Sequence, residues 1–511
     1  MRRYVILADH KGLATMAAAL DVIRRTPVGS TDQRLTRARA LLGLKNLRAL
    51  FGMVQGEEEL DRAVNETLEW LPAVVTGSGY VSDWPGSSGR ILLTAATLHF
   101  LVEAAEAGYE VDDKLAGRLT SSLKGALRSD HVWFIDGESW YERSAALEAL
   151  ASTGTFDGAY WSELARRART MSAEGTANVL LAGVRNGTSN TPAGQELVKV
   201  LNGSVTTQLY QGVEIYAGLK ESRTDRNALI VPSEARTLAH ITRALTRAGA
   251  NTERVDLMVD ALVQVGSGDG WGNTNANGAA LQALSDWAST STNKSLEATL
   301  MVGQHKETLV LKGAHMTSFS TEHDGKMSLA LAEPFEGAVA LELSSWVPLP
   351  DGSHEAADAN GFVVTRTWEI VAEDGPTTKR PLEAAGETIV IDKGVVVEEH
   401  VSVVAPAERH YVVVTVPLAA GMEPLNPALA ISGPEATPSG KITLEASWSQ
   451  YLDDRVTFVY ETLPKGTYDF YFRTRATTPG SFVQPAAHTV MLYDSSVEGH
   501  SPGARIEVTD E

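Results

Sequence analysis

Apolar residues recur with helical spacing over roughly the first 295 positions and with strand spacing after them. In Leu92, Ala95, Ala96, His99, Phe100 and Ala104 they fall at i, i+3 and i+4, so they share one helix face. The same period predicts helices over Arg34 to Phe51, Glu57 to Trp70, Ile91 to Gly108, Asp113 to Ser129 and Ser144 to Ser152. It continues over Trp161 to Met171, Thr176 to Asn186, Glu196 to Leu201, Ser233 to Ala248, Arg254 to Gln264 and Ala279 to Trp287. Loops carrying Gly and Trp separate many of these segments: Gly77 to Gly86, Asp136 to Trp140 and Gly268 to Asn273. A small-residue helix follows each loop. Helical hairpins repeated in this way stack into solenoids or close into rings, and small residues let an inner ring pack tightly.

Beyond the shift the pattern is alternation, clearest in Tyr468-Asp469-Phe470-Tyr471-Phe472-Arg473-Thr474-Arg475. Strands are expected over Glu297 to Lys312, Gly337 to Ser345, Gly361 to Val371, Thr388 to Asp392 and Val395 to Val404. Others are expected over His410 to Pro417, Lys441 to Ser447, Arg455 to Thr462, Thr467 to Thr477 and Ala487 to Leu492. Turn signals between them point to a sandwich. The expected architecture is a multidomain α plus β chain, an α/α toroid followed by antiparallel β-sandwich domains. A boundary is expected at Val347-Pro348-Leu349-Pro350-Asp351-Gly352.

Charge narrows the partners. Lys plus Arg number 44 against 64 Asp plus Glu, a net charge of −20 over 511 residues. Such a surface repels phosphate backbones and anionic lipid, so nucleic acid is not an expected partner. The chain has no Cys, which removes disulfides, thiolate nucleophiles and Cys-based metal sites. Apolar runs such as Tyr4 to Ala8 are far short of the ~20 residues that span a bilayer, so no transmembrane segment is expected. Met1-Arg2-Arg3 and the residues after it make a poor signal peptide, because His10 and Lys11 interrupt any apolar core. These features fit a cytoplasmic chain or the C-terminal piece of a longer exported one. The twelve His show no HExxH or HxH spacing, so no metal is expected, nor any cofactor. His99 and His240 lie within apolar helices and read as packed residues.

Several stretches together resemble the C-terminal third of the bacterial α2-macroglobulins. Asp269-Gly270-Trp271-Gly272-Asn273-Thr274-Asn275 with Ala280-Leu281-Gln282-Ala283-Leu284 looks like the last loop and helix of that family's thioester domain. Tyr80 to Gly86 with Thr94 to Tyr109 looks like an earlier loop and hairpin of it. The terminal matches are Gly361 to Arg366, Pro417 to Pro427, Asp453-Asp454-Arg455-Val456, Leu463 to Tyr468, Arg475 to Gly480 and Met491 to Asp494. Their order and spacing make the set specific. The resemblance implies a toroidal thioester domain at 26–294 and a CUB-like β segment at 295–350. A terminal macroglobulin-like β-sandwich follows at 351–511. Residues 1–25 lead into the toroid or belong to the CUB-like domain.

The resemblance also implies a function. Family members trap proteases, so the expected partners are proteases, through a full-length protein, and upstream macroglobulin domains or a partner chain. The chain then reads as a fragment or a separately encoded terminal piece of a periplasmic or cell-envelope protein, and not as an enzyme. Two other readings stay open: an α/α-toroid enzyme of glycosidase or cyclase type with a β accessory domain, and a protein–protein interaction module.

Thioester members carry Gly-Cys-x-Glu-Gln, in which the Gln side chain acylates the Cys sulfur three residues before it. Here Thr26-Pro27-Val28-Gly29-Ser30-Thr31-Asp32-Gln33 fits that slot, with Ser30 for Cys and Asp32 for Glu. A Ser hydroxyl ionises far less readily than a thiol, and an alkoxide leaves less readily than a thiolate. Gly29, Ser30, Asp32 and Gln33 are therefore expected to form a degenerate thioester site. Read from the residues alone, Ser30 or Thr31 caps the helix that begins near Gln33; a repurposed Ser nucleophile is the alternative. In the terminal domain, the resemblance places Tyr468 and Tyr471 where aromatic residues shield the thioester, while the residues alone read as sheet packing.

The loops hold a second candidate. Trp84, Trp140 and Trp271 either line a ligand pocket or plug hairpin ends. Asp83, Asp136, Glu138 and Asp269 either pair for acid–base chemistry or cap helices.

Overall fold

The structure is a computed structural model. It describes residues 2–9, 16, 23, 29–45, 57–135, 139–220, 231, 233–266, 270–290, 295–312, 315–321, 326–332, 338–345, 355–371, 378–381, 386–429 and 433–510. The chain divides into two compact units, Met1–Trp346 and Val347–Glu511.

The first unit opens with strand β1 (Arg2–Asp9). Helices follow in alternation. One set is α1 (Thr31–Lys45), α3 (Ile91–Glu106), α5 (Trp140–Ser152), α7 (Ala173–Arg185), α9 (Glu234–Arg247) and α11 (Thr274–Ala288). Each packs on the next, and α11 packs back on α1, so the six close a ring. The other set is α2 (Glu57–Val74), α4 (Asp113–Leu127), α6 (Gly158–Arg166), α8 (Pro192–Ser204) and α10 (Thr252–Val265), which pack against ring helices from outside.

Local chemistry sets many of the starts. Asp112, Asp157, Ser172, Thr191, Ser233, Asn251 and Asn273 each accept a backbone N–H from the first turn of the helix that follows. Small residues fill the ring faces: Ala146 and Ala149 on α5, Ala177 and Ala182 on α7, Ala239 and Ala244 on α9, Ala280 and Ala283 on α11. At the closure, a Cβ on Gly278 would sit 2.5 Å from Thr36 Cγ2, so α11 and α1 approach this closely only with glycine there.

A hairpin interrupts the helices. Strands β2 (Val205–Tyr210) and β3 (Val213–Leu219) turn at Gln211 and Gly212, whose φ values are 49° and 84°. Both residues in the left-handed region make the tight turn that suits strand twist. After the ring come β4 (Ser295–Val302), β5 (His305–Lys312), β6 (His315–Thr321), β7 (Met327–Leu331) and β8 (Ala338–Ser345). β5, β4 and β7 form one antiparallel sheet, and β6, β1 and β8 form another. The helical region thus lies, in sequence, between β1 and both of its partners.

The second unit is a sandwich. Strands β9 (Asp358–Asn360), β10 (Val363–Val371), β11 (Thr378–Pro381), β12 (Glu387–Asp392), β13 (Val396–Ala405), β14 (Arg409–Pro417) and β15 (Met422–Leu425) come first. Then follow β16 (Trp448–Leu452), β17 (Arg455–Leu463), β18 (Gly466–Ala476), β19 (Gly480–Gln484), β20 (His488–Met491), β21 (Asp494–His500) and β22 (Ala504–Thr509). One sheet runs β11-β10-β13-β18-β15, another β16-β17-β14-β20-β21-β9, and a small third β12-β22-β19. Alternation on β18 buries Tyr468, Phe470, Phe472 and Thr474 and turns Asp469, Tyr471 and Arg473 outward. Phe470 and Phe472 meet Phe458 of β17 inside the sandwich.

The expected class, a helical region followed by β-sandwich structure, is the one observed. Some elements differ. Glu297 to Lys312 is a two-strand hairpin, not one strand. Lys441 to Ser447 is not a strand. Its polar groups bond to side chains and ordered backbone of the neighbouring sheets: Asp469 N–H donates to Thr443 Oγ1 at 2.9 Å, and Tyr460 Oη donates to the Leu444 carbonyl at 2.7 Å. The β2–β3 hairpin was not legible as such, because its strands pair only with each other and carry no buried alternating face. The expected boundary at Val347 to Gly352 lies outside the described residues.

Candidate functional site

The candidate site is the start of α1. Thr26, Pro27 and Val28 lie outside the described residues, so the geometry begins at Gly29. Ser30 is the N-cap: its Oγ accepts the Gln33 backbone N–H at 3.2 Å. Ser30, Thr31 and Gln33 are buried. The Gln33 side chain folds back over the turn, and its Oε1 accepts backbone N–H groups from Gly29 at 3.0 Å and Ser30 at 3.3 Å. Two donors on one amide oxygen polarise the Gln33 carbonyl carbon. Gln33 Nε2 is buried without a hydrogen-bond partner among the described residues.

Thr31 does not cap. Its Oγ1 lies 2.8 Å from the Ser82 carbonyl and 2.9 Å from that of Asp83, and it accepts from Trp70 Nε1 at 2.8 Å. Thr31 N–H also donates to the Asp83 carbonyl at 2.9 Å. These bonds tie the start of α1 to the Gly-Trp loop after α2. Arg34 lies over the Trp70 ring at 4.5 Å. The arrangement holds Ser30 and Gln33 together on one helical turn. Among the described residues no histidine or carboxylate hydrogen-bonds the Ser30 hydroxyl, so a base that would make it a nucleophile is not in place.

The first turns of other ring helices face the same region. Burial disfavours the Arg236 cation on α9, but Glu174 on α7, Tyr141 on α5 and Asp32 on α1 outweigh it and push the guanidinium up. Glu174 lies 3.2 Å from Arg236 and accepts the Thr237 hydroxyl at 2.6 Å. Deeper in the ring, His99 pairs with Glu148, which also lies 3.6 Å from Arg185. Burial opposes ionisation of Glu148, yet His99, Arg243 and Arg185 hold its carboxyl well below the usual range. The ring interior is therefore occupied by ion pairs. Sequence reading took His99 and His240 as packed residues and passed over Glu148, Glu174 and Arg236. The available signal was a charge set within small-residue helix faces, as in Ala145 to Ala151 around Glu148.

The tryptophan loops are also resolved in part. Trp84 and Trp271 are buried, and Trp271 Nε1 donates to the Leu262 carbonyl at 2.6 Å. They plug hairpin ends. Trp140 is half-buried, with Arg167 4.6 Å over its ring. Asp83 is buried and lies 3.6 Å from Arg90. Asp136, Glu138 and Asp269 lie outside the described residues.

In the sandwich, Tyr468 faces the core and its hydroxyl donates to the Pro464 carbonyl at 2.7 Å. Tyr471 is on the opposite face of β18. Its ring stacks on His400 at 4.3 Å, and a Cβ on Gly440 would come within 2.3 Å of it. The loop carrying Gly440 is held down by Glu398, which accepts the Ser439 N–H at 2.6 Å and Arg473 Nε at 2.9 Å.

Residues 361–495 match the sequence model of the bacterial alpha-2-macroglobulin MG10 domain. No curated protein matches the chain. Among solved structures, Salmonella alpha-2-macroglobulin reacted with methylamine is similar over 99% of this chain and 32% of its own, with a TM-score of 0.75 at 17% identity. The native conformation of Escherichia coli alpha-2-macroglobulin gives a TM-score of 0.74 at 17% identity, over 99% of this chain and 31% of its own. A native E. coli structure running from domain MG7 to the C-terminus gives 0.72 at 17% identity, covering 99% of this chain and 77% of its own. The chain thus spans about a third of the length of the whole proteins it is similar to. At this identity the likeness is one of fold.

Proposed function

We propose that this chain is the C-terminal region of a bacterial α2-macroglobulin-type protease trap that works without covalent capture. The observation that carries the reading is the MG10 match at residues 361–495, joined to a fold likeness over 99% of the chain. The domain assignment follows: a thioester-type toroid at 26–294, a CUB-like segment at 295–350 that takes in β1 through its pairing with β6 and β8, and a terminal macroglobulin-like sandwich at 351–511. The partners are proteases, engaged through a longer protein, in the periplasm or cell envelope.

Ser30 removes the covalent step. A thioester needs a thiolate that the Gln33 carbonyl can acylate with loss of ammonia. Ser30 offers a neutral hydroxyl already engaged as a helix cap. The slot keeps its folded-back Gln33 and loses its electrophile. Tyr471 is turned outward on β18 while the Tyr468 hydroxyl is committed to Pro464, so of the two Tyr471 keeps the shielding role that the resemblance implies. Inside the ring the carboxylates are committed to cations, Glu148 to His99, Glu174 to Arg236, Glu103 to Arg39 and Asp286 to Arg243 and Arg247, which disfavours the toroid-enzyme reading.

The test is methylamine treatment of the 511-residue chain followed by peptide mass spectrometry. No change at Gln33 is expected. Covalent methylamine uptake there, with loss of ammonia, would overturn the non-covalent reading. The isolated chain is also expected not to slow a protease on a protein substrate, since trapping draws on domains beyond it; inhibition by these residues alone would contradict the assignment.

A further inference from the structure

At the opposite end of the ring from Ser30, the C-terminal halves of α1, α3, α9 and α11 line an open cavity of about 310 Å³. Its walls carry Arg39, Lys45, Arg243 and Arg247 against Glu103 and Asp286, with Glu106 exposed at the rim. The pairing is uneven. Glu103 takes Arg39 through two bonds of 2.8 Å. Asp286 alone serves two guanidiniums, Arg243 at 2.9 Å and Arg247 at 2.5 and 2.8 Å. Lys45 donates to the Ala107 carbonyl at 3.1 Å and lies 5.9 Å from the centre of the Tyr109 ring.

We propose that this cavity binds a small polyanion bearing phosphate or carboxylate groups. Guanidinium forks match the planar geometry of such groups. The carbonyl ends of four helices oppose an anion, each equivalent to about half a negative charge, but that field fades within the last turn. Lys45 already answers one of those carbonyls. Inside the cavity, burial and the neighbouring Arg247 and Arg39 hold the Arg243 guanidinium below its ordinary range even with Asp286 against it. Arg243 is thus under-compensated; at Arg39 and Arg247 burial also disfavours the cation, but Glu103, Asp286 and Glu148 outweigh it. The volume admits an inorganic phosphate or a citrate, not a polymer. The cavity lies where the last ring helix meets the first, so a bound anion links helices far apart in sequence and stabilises the closure.

Calorimetric titration and thermal melting of the 511-residue chain test this, with inorganic phosphate in one arm, citrate in the other and chloride holding ionic strength constant. Saturable binding and a raised Tm are expected with at least one. Phosphate alone identifies a phosphate-bearing ligand, and citrate alone a carboxylate. Arg247→Gln, which leaves Arg243 on Asp286, is expected to weaken binding about tenfold or more. Ser289→Asp at the exposed rim does the same by adding a negative charge without breaking an ion pair, and covers the case in which Arg247→Gln fails to fold. Absence of saturable binding in both arms, or unchanged binding in Ser289→Asp, overturns the proposal.

Discussion

Acidification tests the reading of the ring interior through one residue, His240. It sits on α9 between Arg236 and Arg243, and its Nδ1 is buried without a hydrogen-bond partner among the described residues. Burial comes first among its influences. Glu174 and Glu148 favour the cation while Arg236 and Arg243 oppose it, and the balance lowers the imidazole to about 4. In the unfolded chain it titrates near 6.5. Between these values the unfolded state binds a proton that the folded state refuses, so stability falls as pH drops from about 6.5 to about 4. Linkage gives a loss of about 2 kcal/mol by pH 5 and about 3 kcal/mol by pH 4. The lowered carboxyls of Glu103, Glu148 and Asp286 lose their contribution only at lower pH, so the upper part of the window isolates the histidine. Hydrogen exchange of the α9 amides at pH 7 and pH 5, corrected for intrinsic rates, reads the change without treating the two units as one transition. His240→Leu is expected to abolish the difference. A wild-type chain with equal protection at both pH values, or a His240→Leu chain that still loses about 2 kcal/mol, refutes the argument.

Three further outcomes follow from the same geometry. Ser30→Ala removes the cap on α1 and is expected to cost about 1 kcal/mol, seen as a lower Tm of the first unit; no change would mean the cap bond carries nothing. Ser30→Cys places a thiol beside the polarised Gln33 carbonyl, and a fraction of the chain is expected to lose one ammonia and then take up methylamine at Gln33, read by intact mass; a stable free thiol with intact Gln33 would show that the slot has lost more than its sulfur. In the sandwich, Arg366 donates to Glu399 at 2.8 Å and to the Pro417 and Pro485 carbonyls at 3.1 and 3.0 Å, with both charged side chains fully buried. Arg366→Met strands the Glu399 carboxyl and is expected to cost about 3–5 kcal/mol in denaturant unfolding of this unit; a loss below about 1 kcal/mol would show that the pair is dispensable.

Periodicity was enough to place outer helices such as α4 and α8, which bury one face and so write a 3.6-residue pattern into the chain; a ring helix such as α7, buried from Ala173 to Gly183, reads instead as a run of small and apolar residues. Ala239, Ala244, Ala280 and Ala283 are legible in the same way. Alternation on β18 named its buried face, since every second side chain enters the sandwich. The polar stretch at Ser30 was also legible as a helix start, and the absence of Cys from the chain rules out a thioester whatever the fold.

Only the tertiary structure decided the rest, because it depends on residues far apart in sequence. That Ser30 caps while Thr31 reaches Ser82 and Asp83 is set by where the loop after α2 lands. Period alone does not say that α11 returns to α1, or that β1 pairs with strands on the far side of the helical region. A charge on a small-residue face looks costly in isolation. Only the folded ring shows that Glu148 meets His99, and that Asp286 stands between Arg243 and Arg247.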